Sequence, residues 1–236
     1  MKFLILLFYY ERPKMLTNAL LSVKNSTYQN WELCIIDDGI RFPATTVIEK
    51  CFTPEERESH RISYIQTMDS EASKKIRGGS QFGMYANLAI KASDADIVIM
   101  LCDDDLLKPD YMEKLNQFYL ENPSIKYSYS HLEFYNPYNG LPQDGNVVNN
   151  SYTDYLVSHT ESINPSGNLD SSQVTWKRES WINDDIQFPS PRTSNLDEVI
   201  YEQMYVTWGS CVYNKINGQW KGIHPDQLIN LSIKGK

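Results

Sequence analysis

The run Ile97-Val-Ile-Met-Leu-Cys102 leads without a break into Asp103, Asp104 and Asp105. Six apolar residues of strand character need burial, and three adjacent carboxylates resist it. A fold that accommodates both must bury the strand and deliver the aspartates to a place where a cation or ligand donors offset their repulsion. The end of a strand in a covered sheet is such a place.

The preceding sequence supports a sheet. Phe3 to Tyr10 reads as a buried strand, and Pro13 suits the first turn of a helix. Met15, Leu16, Ala19, Leu20 and Val23 then recur at helical spacing. Trp31 to Ile36 is a second strand, ending in Asp37-Asp38-Gly39. Arg61 to Gln66 reads as a third. Phe82, Tyr85, Ala86, Ala89 and Ile90 mark another helix, entered through Gly78-Gly79-Ser80. Asp96 to Leu101 is the fourth strand. Pro109 and Asp110 open a further helix with Met112, Leu115 and Phe118 inward, and Pro123 lies just past its end. Alternation of this kind predicts an α/β fold with a mostly parallel sheet flanked by helices. Ligands of such sheets bind beyond the carboxyl ends of the strands, where both acidic clusters fall.

The second half is less regular. Lys126 to Tyr135 and Asp170 to Trp176 read as strands, Asn136 to Asn168 as loop, and Asp197 to Val206 as helix. The expected organisation is one domain over 1–236, with a nucleotide-type half at 1–122 and an irregular half at 123–236 that shapes a second substrate site. A length of 236 residues, 41% of them hydrophobic, suffices for that core.

A net charge of −8 disfavours DNA and anionic membranes as partners. Cys34, Cys51, Cys102 and Cys211 lack metal-ligand spacing, which points to free thiols in a reducing, cytoplasmic setting. The opening MKFLILLFYYERP has a signal-like apolar stretch. No small-residue cleavage site follows it, so it reads as the first strand. No run is long enough to span a membrane.

Asp-Gly at 38–39 is also a turn signal, and three aspartates can equally be a solvated loop that leads into a helix. Two acidic clusters at neighbouring strand ends, however, imply one negative crevice, and oxygen-only ligation suits Mg²⁺ or Mn²⁺.

The chain resembles the inverting nucleotide-sugar glycosyltransferases of the GT-A fold, in particular the large family 2 group. The resemblance is carried by ILLFYYERPKMLTNALLSVKNSTYQNWELCIIDDG, by GGSQFGMYANLAIKASDADIVIMLCDDD and by LKPDYMEKL. It implies a metal-dependent transfer of a sugar from a nucleoside-diphosphate sugar, a UDP-sugar first, to an acceptor hydroxyl of a glycan, a lipid-linked sugar or a modified nucleic-acid base. By resemblance, Tyr9, Tyr10 and Arg12 lie against the nucleotide base, and Asp37 or Asp38 accepts hydrogen bonds from base or ribose. Asn87 occupies the family's asparagine position. Asp103, Asp104 and Asp105 form the Asp-x-Asp motif, with Asp103 toward the ribose or the metal's water shell and Asp105 on the metal.

The implied base is Asp197 in NLDEVIYEQM, with Glu198 next to it; the family's Glu-Asp order is inverted here. Asp197 also suits a plain helix-start carboxylate, and Asp184 and Asp185 are further base candidates. Arg77, beside Lys74 and Lys75, is either a nucleotide contact or part of a solvated basic loop. His224 is either a third metal ligand or structural. Trp176, Trp181 and Trp208 can stack on a sugar or fill the core. Two rival functions remain at this stage. A sugar nucleotidyltransferase would need a glycine-rich loop after the first strand, which YYERPKML lacks. A non-catalytic nucleotide-sugar-binding module would show no turnover.

Overall fold

The computed structural model describes residues 1–67, 75, 81–138, 161–190 and 196–223. The first four long strands are β1 (Phe3–Tyr9), β2 (Trp31–Asp37), β3 (Ser63–Gln66) and β4 (Ile97–Cys102). All of their mutual pairings are parallel, in the order β3-β2-β1-β4. Tyr9 pairs with Asp37 and Phe8 with Cys102. The carboxyl ends of the three inner strands are therefore level, but β1 lies between β2 and β4, so Asp38 and Asp103 leave the sheet on either side of the end of β1 and not at neighbouring strands as the sequence suggested. The chain runs from β1 to β2 on one side and places β4 on the other, which makes the β1–β4 gap the switch point where such sheets open a crevice.

Strands β1, β2 and β4 are buried on both faces, as their largely apolar sequences require, while β3 at the sheet edge is half-buried. Phe3, Ile5, Leu7 and Tyr9 face one core, together with α1 (Pro13–Lys24) and the helix Tyr111–Glu121. Leu4 and Leu6 face the other core, with Phe82, Ala86 and Ile90 of α4 (Phe82–Ala92). Gly83 is required there, because a Cβ would lie 2.1 Å from the carbonyl oxygen of Pro189. Two short helices, α2 (Thr45–Cys51) and α3 (Pro54–Ser59), lie between β2 and β3 and were not anticipated. Strand β3 starts two residues later than the sequence suggested, after Arg61 at a left-handed φ of 46°.

The second half joins the same sheet with mixed directions. After β4 the first half adds β5 (Leu106–Leu107) and helix α5 (Tyr111–Glu121), and the second half contributes β6 (Tyr127–Tyr135), β7 (Ser162–Ile163), β8 (Val174–Lys177), α6 (Arg178–Asn183), α7 (Leu196–Trp208) and β9 (Cys211–Gly222). Strand β8 lies antiparallel between β4 and β6; β9 pairs parallel with β6 and antiparallel with β5 and β7.

The stretch from Asp170 to Trp176 is not wholly strand. Asp170 caps a 3₁₀ turn, Ser171–Gln173, by accepting from the Ser172 amide while Gln173 reaches back to the Asp170 amide. That capping box ends the loop and lets the strand begin only at Val174. Trp176 and Trp181 are core residues, stacked at 5.1 Å and almost fully buried. Trp208 is half-buried and donates to Asp184. All four cysteines are free. Among the described residues no helix is long and apolar enough to cross a membrane.

Candidate active site

Asp103, Asp104 and Asp105 follow β4 directly and are 1%, 4% and 0% exposed. Buried carboxylates need donors, and here the donors come from three other elements. Arg12, just before α1, reaches Asp103 with Nε (3.2 Å) and Nη2, and Asp104 with Nη1 (3.1 Å). The Tyr10 amide donates to Asp103 at 3.1 Å. Burial works against the charge of Arg12, but Asp103 and Asp104 outweigh it and hold the guanidinium above its ordinary value.

Asp105 is held from the opposite side. Its Oδ1 accepts from the Gly222 amide at 3.0 Å; its Oδ2 lies 2.5 Å from Ser172 Oγ and 3.0 Å from Lys221 Nζ. Gly222 cannot be larger, since a Cβ would lie 2.0 Å from the Asp104 carbonyl oxygen. Lys221 also pairs with Asp170 at 3.1 Å. Burial raises the Asp105 carboxyl although Lys221 pulls it down. Burial also opposes the charge on Lys221, but Asp105 and Asp170 prevail and hold the ammonium well above its ordinary value.

Asp197 lies in the first turn of α7, with its Oδ1 accepting from the Glu198 amide at 3.0 Å. Burial and then the negative charge of Asp170 raise its carboxyl, while Lys221 lowers it. The candidate base thus shares one electrostatic cluster with Asp170, Lys221 and, through Lys221, Asp105.

Several expected ligand contacts have other duties. Tyr9 is fully buried and its hydroxyl donates to the Phe42 carbonyl at 2.6 Å, so it is a core residue that pins the loop after β2. Asp37 is also fully buried. Its oxygens accept from the Gly39 amide (2.8 Å), the Ala44 amide (2.9 Å) and the Tyr64 hydroxyl (2.9 Å). Asp37 therefore builds the turn before α2. Asn87 pairs with both backbone groups of Phe188, at 3.0 and 2.9 Å, and clips α4 to the 186–190 loop. Asp184 is tied to Lys126 and Trp208, and Asp185 sits at a φ of 52° bonded to Gln187. Tyr10 is 42% exposed at the crevice mouth, and Asp38 accepts from Thr67 at 2.7 Å. Arg77 and His224 lie outside the described residues, and Lys75 is exposed.

Sequence reasoning missed Asp170, Ser172, Lys221 and Gly222. Only Asp170 left a signal, the D-x-x-Q spacing of a capping box.

The carboxylates of Asp104 and Asp105 and the thiol of Cys102 have ligand atoms within 4.8 Å of one another. Burial pushes the thiol far up, so the carboxylates are the stronger donors. Two neighbouring carboxylates suit Mg²⁺ or Mn²⁺. The cluster takes in Asp104 and not Asp103, although Arg12 contacts both.

Among known proteins, the chain is similar to Protein CgeD of Bacillus subtilis (strain 168), 27% identical over 126 residues. An uncharacterized glycosyltransferase of Haemophilus influenzae is 26% identical over 113 residues. These matches cover 53% and 48% of this chain but only 28% and 40% of the two relatives. In fold, Staphylococcus aureus TarS 1–349 in complex with UDP superposes at a TM-score of 0.69 and 18% identity, over 95% of this chain and 61% of that one. Mannosyltransferase PcManGT from Pyrobaculum calidifontis, in complex with GDP-Man and Mn²⁺, gives 0.66 at 11% identity, over 99% and 60%. These likenesses show the GT-A-type fold. The profile of glycosyl transferase family 2 matches residues 4–135, more than half of the chain and the part that carries the parallel sheet and the three aspartates, and the chain belongs to that family.

Proposed function

We propose that this protein transfers a sugar, with inversion, from a nucleoside-diphosphate sugar to an acceptor hydroxyl, with a UDP-sugar as the first donor to try. The observation that carries this reading is the meeting of two distant carboxylate groups. Asp103 to Asp105 arrive from the nucleotide half and Asp197 from the other, and Asp170 with Lys221 joins them in one cluster. UDP in the TarS structure and GDP-Man in the PcManGT structure support the donor class.

In this mechanism the donor lies over the β1–β4 gap. Asp38 and Tyr10 meet the nucleoside, and Arg12 fixes Asp103 and Asp104 so that their oxygens do not move as charge shifts. Asp105 and Asp104 would hold Mn²⁺ or Mg²⁺, which when bound neutralises charge on the leaving diphosphate. Asp197 takes the proton of the acceptor hydroxyl as that oxygen bonds to the anomeric carbon. The bond from that carbon to the phosphate oxygen breaks, and its electron pair leaves with the nucleoside diphosphate. A carboxyl raised above its ordinary 3.8 is a better proton acceptor than an unperturbed one.

The test is turnover of a panel of nucleotide sugars with Mn²⁺ or Mg²⁺, for wild type and Asp105→Asn. Wild type should release nucleoside diphosphate, and Asp105→Asn should slow it by roughly 10²–10³, the scale for one lost group that stabilises transition-state charge. Undiminished turnover in the variant, or in excess chelator, removes the metal. Absence of turnover with every donor, alongside measurable nucleotide binding, leaves a binding module.

A further inference from the structure

The Asp105 carboxylate has an occupant of its own. Lys221 Nζ lies 3.0 Å from Asp105 Oδ2 and 3.1 Å from Asp170 Oδ1. Its side chain is only 8% exposed, so water screens the contact little. Ser172 Oγ lies between the same two carboxylates, 2.5 Å from Asp105 Oδ2 and 2.7 Å from Asp170 Oδ1. The ammonium is also anchored by its backbone, since the next residue, Gly222, donates its amide to Asp105 Oδ1. The end of β9 thus grips both oxygens of one carboxylate.

A divalent ion bound to that carboxylate sits about 2.1 Å from an oxygen. An ammonium at 3.0 Å on the same oxygen would then face the ion at close range, inside a site that excludes water. Two cations at that spacing repel strongly at low effective dielectric. One of them must move, and Lys221, on a flexible four-carbon stem, is the one able to do so.

We propose that Lys221 is the resident counter-ion of Asp105, and that a divalent ion reaches this carboxylate only by displacing the ammonium. The three aspartates are tolerated without an ion because Arg12 neutralises one end of the cluster and Lys221 the other. Cation affinity is then set by competition within the protein and is low in the donor-free state. By linkage, whatever holds the lysine in place weakens the ion to the same degree.

This inference rests on Asp105 being the cation's ligand, and the experiment separates the two. Mn²⁺ binding to the nucleotide-free protein is followed by the electron paramagnetic resonance signal of free Mn²⁺. The proteins compared are wild type, Lys221→Met, Lys221→Arg, Asp105→Asn and the Lys221→Met/Asp105→Asn pair. Lys221→Met, similar in length and uncharged, should bind Mn²⁺ at least about tenfold tighter than wild type, within the usual range for coupled ligands. Lys221→Arg should stay near wild type. Asp105→Asn should abolish binding in both backgrounds. If Lys221→Met binds no tighter while Asp105→Asn still abolishes binding, the metal stays at Asp105 and the competition is overturned. If binding survives Asp105→Asn, Asp105 is not the ligand and both ideas fall. Removing Lys221 leaves two buried carboxylates unpaired and can unfold the protein. In that case circular dichroism of Lys221→Met is followed as Mn²⁺ is added. Recovery of the folded signal supports the proposal, and no recovery at millimolar Mn²⁺ overturns it.

Discussion

The two acidic clusters look alike in sequence and differ in the fold. Asp37 ends β2 and finds its donors nearby: Gly39, Ala44 and the Tyr64 hydroxyl on the adjacent strand. Asp103 to Asp105 follow β4 and are held by Arg12, Ser172, and the adjacent pair Lys221 and Gly222, from three distant stretches of chain. A carboxylate with neutral donors close at hand shapes a turn. A carboxylate balanced by cations brought from elsewhere is the better candidate for a ligand site, since its charge is not needed for its own local turn. Asp197 belongs to the second class through Asp170 and Lys221.

The largest expected effect tests that assignment. Asp197→Asn keeps size and the Glu198 contact but removes the proton acceptor, so turnover with acceptor should fall by roughly 10²–10⁴. Calorimetric affinity for the nucleoside diphosphate should hold. Because burial and Asp170 raise this carboxyl, it protonates at a higher pH than an ordinary aspartate as pH falls. The wild-type rate should therefore drop on the acid side above pH 3.8, its unperturbed value, and the variant should lack that limb. Equal losses of binding and rate would make Asp197 a scaffold residue.

Much of this was legible beforehand because the first half obeys local rules. Apolar runs of strand length, a Pro at a helix start and a Gly after an acidic pair each carry their own physics. The parallel pairing of these strands and the place of the three aspartates at a strand end follow from them, whereas the strand order, with β1 between the two acidic ends, does not. The second half hid its contribution. Strand β9 reads CVYNKINGQWKG, with Asn, Lys and Gly in place of alternation. It has register shifts against β6 and a left-handed Lys215, and those irregularities aim Lys221 at Asp105. Asn87 misled for the converse reason: a polar residue on a helix beside a site can serve a loop, as it does at Phe188.

A smaller effect separates the clusters by stability. Asp37→Ala leaves two backbone amides and the Tyr64 hydroxyl without their buried acceptor. It should lower unfolding free energy by about 3 kcal/mol, the upper range for stranded buried partners. The chemical-denaturation midpoint reads this directly. A variant as stable as wild type, with nucleotide affinity lost instead, would place Asp37 in the site and erase the distinction between the clusters.

The smallest effect concerns its neighbour. Asp38 lies one residue beyond the turn-builder, its amide bonded to the Tyr9 carbonyl and its Oδ1 to Thr67. That places it at the carboxyl end of β2, next to the end of β1. Asp38→Asn keeps an oxygen for Thr67 and removes the charge, so the fold should lose little. If Asp38 accepts from the base or ribose, nucleoside diphosphate should bind more weakly by about 1–2 kcal/mol, roughly 5- to 30-fold. Calorimetry beside a denaturation curve distinguishes the outcomes. Weaker binding at unchanged stability puts the division between fold and site between two adjacent aspartates. Lost stability at unchanged affinity would make the whole Asp37-Asp38 pair a turn device and leave nucleoside recognition to Tyr10 and the β4 end.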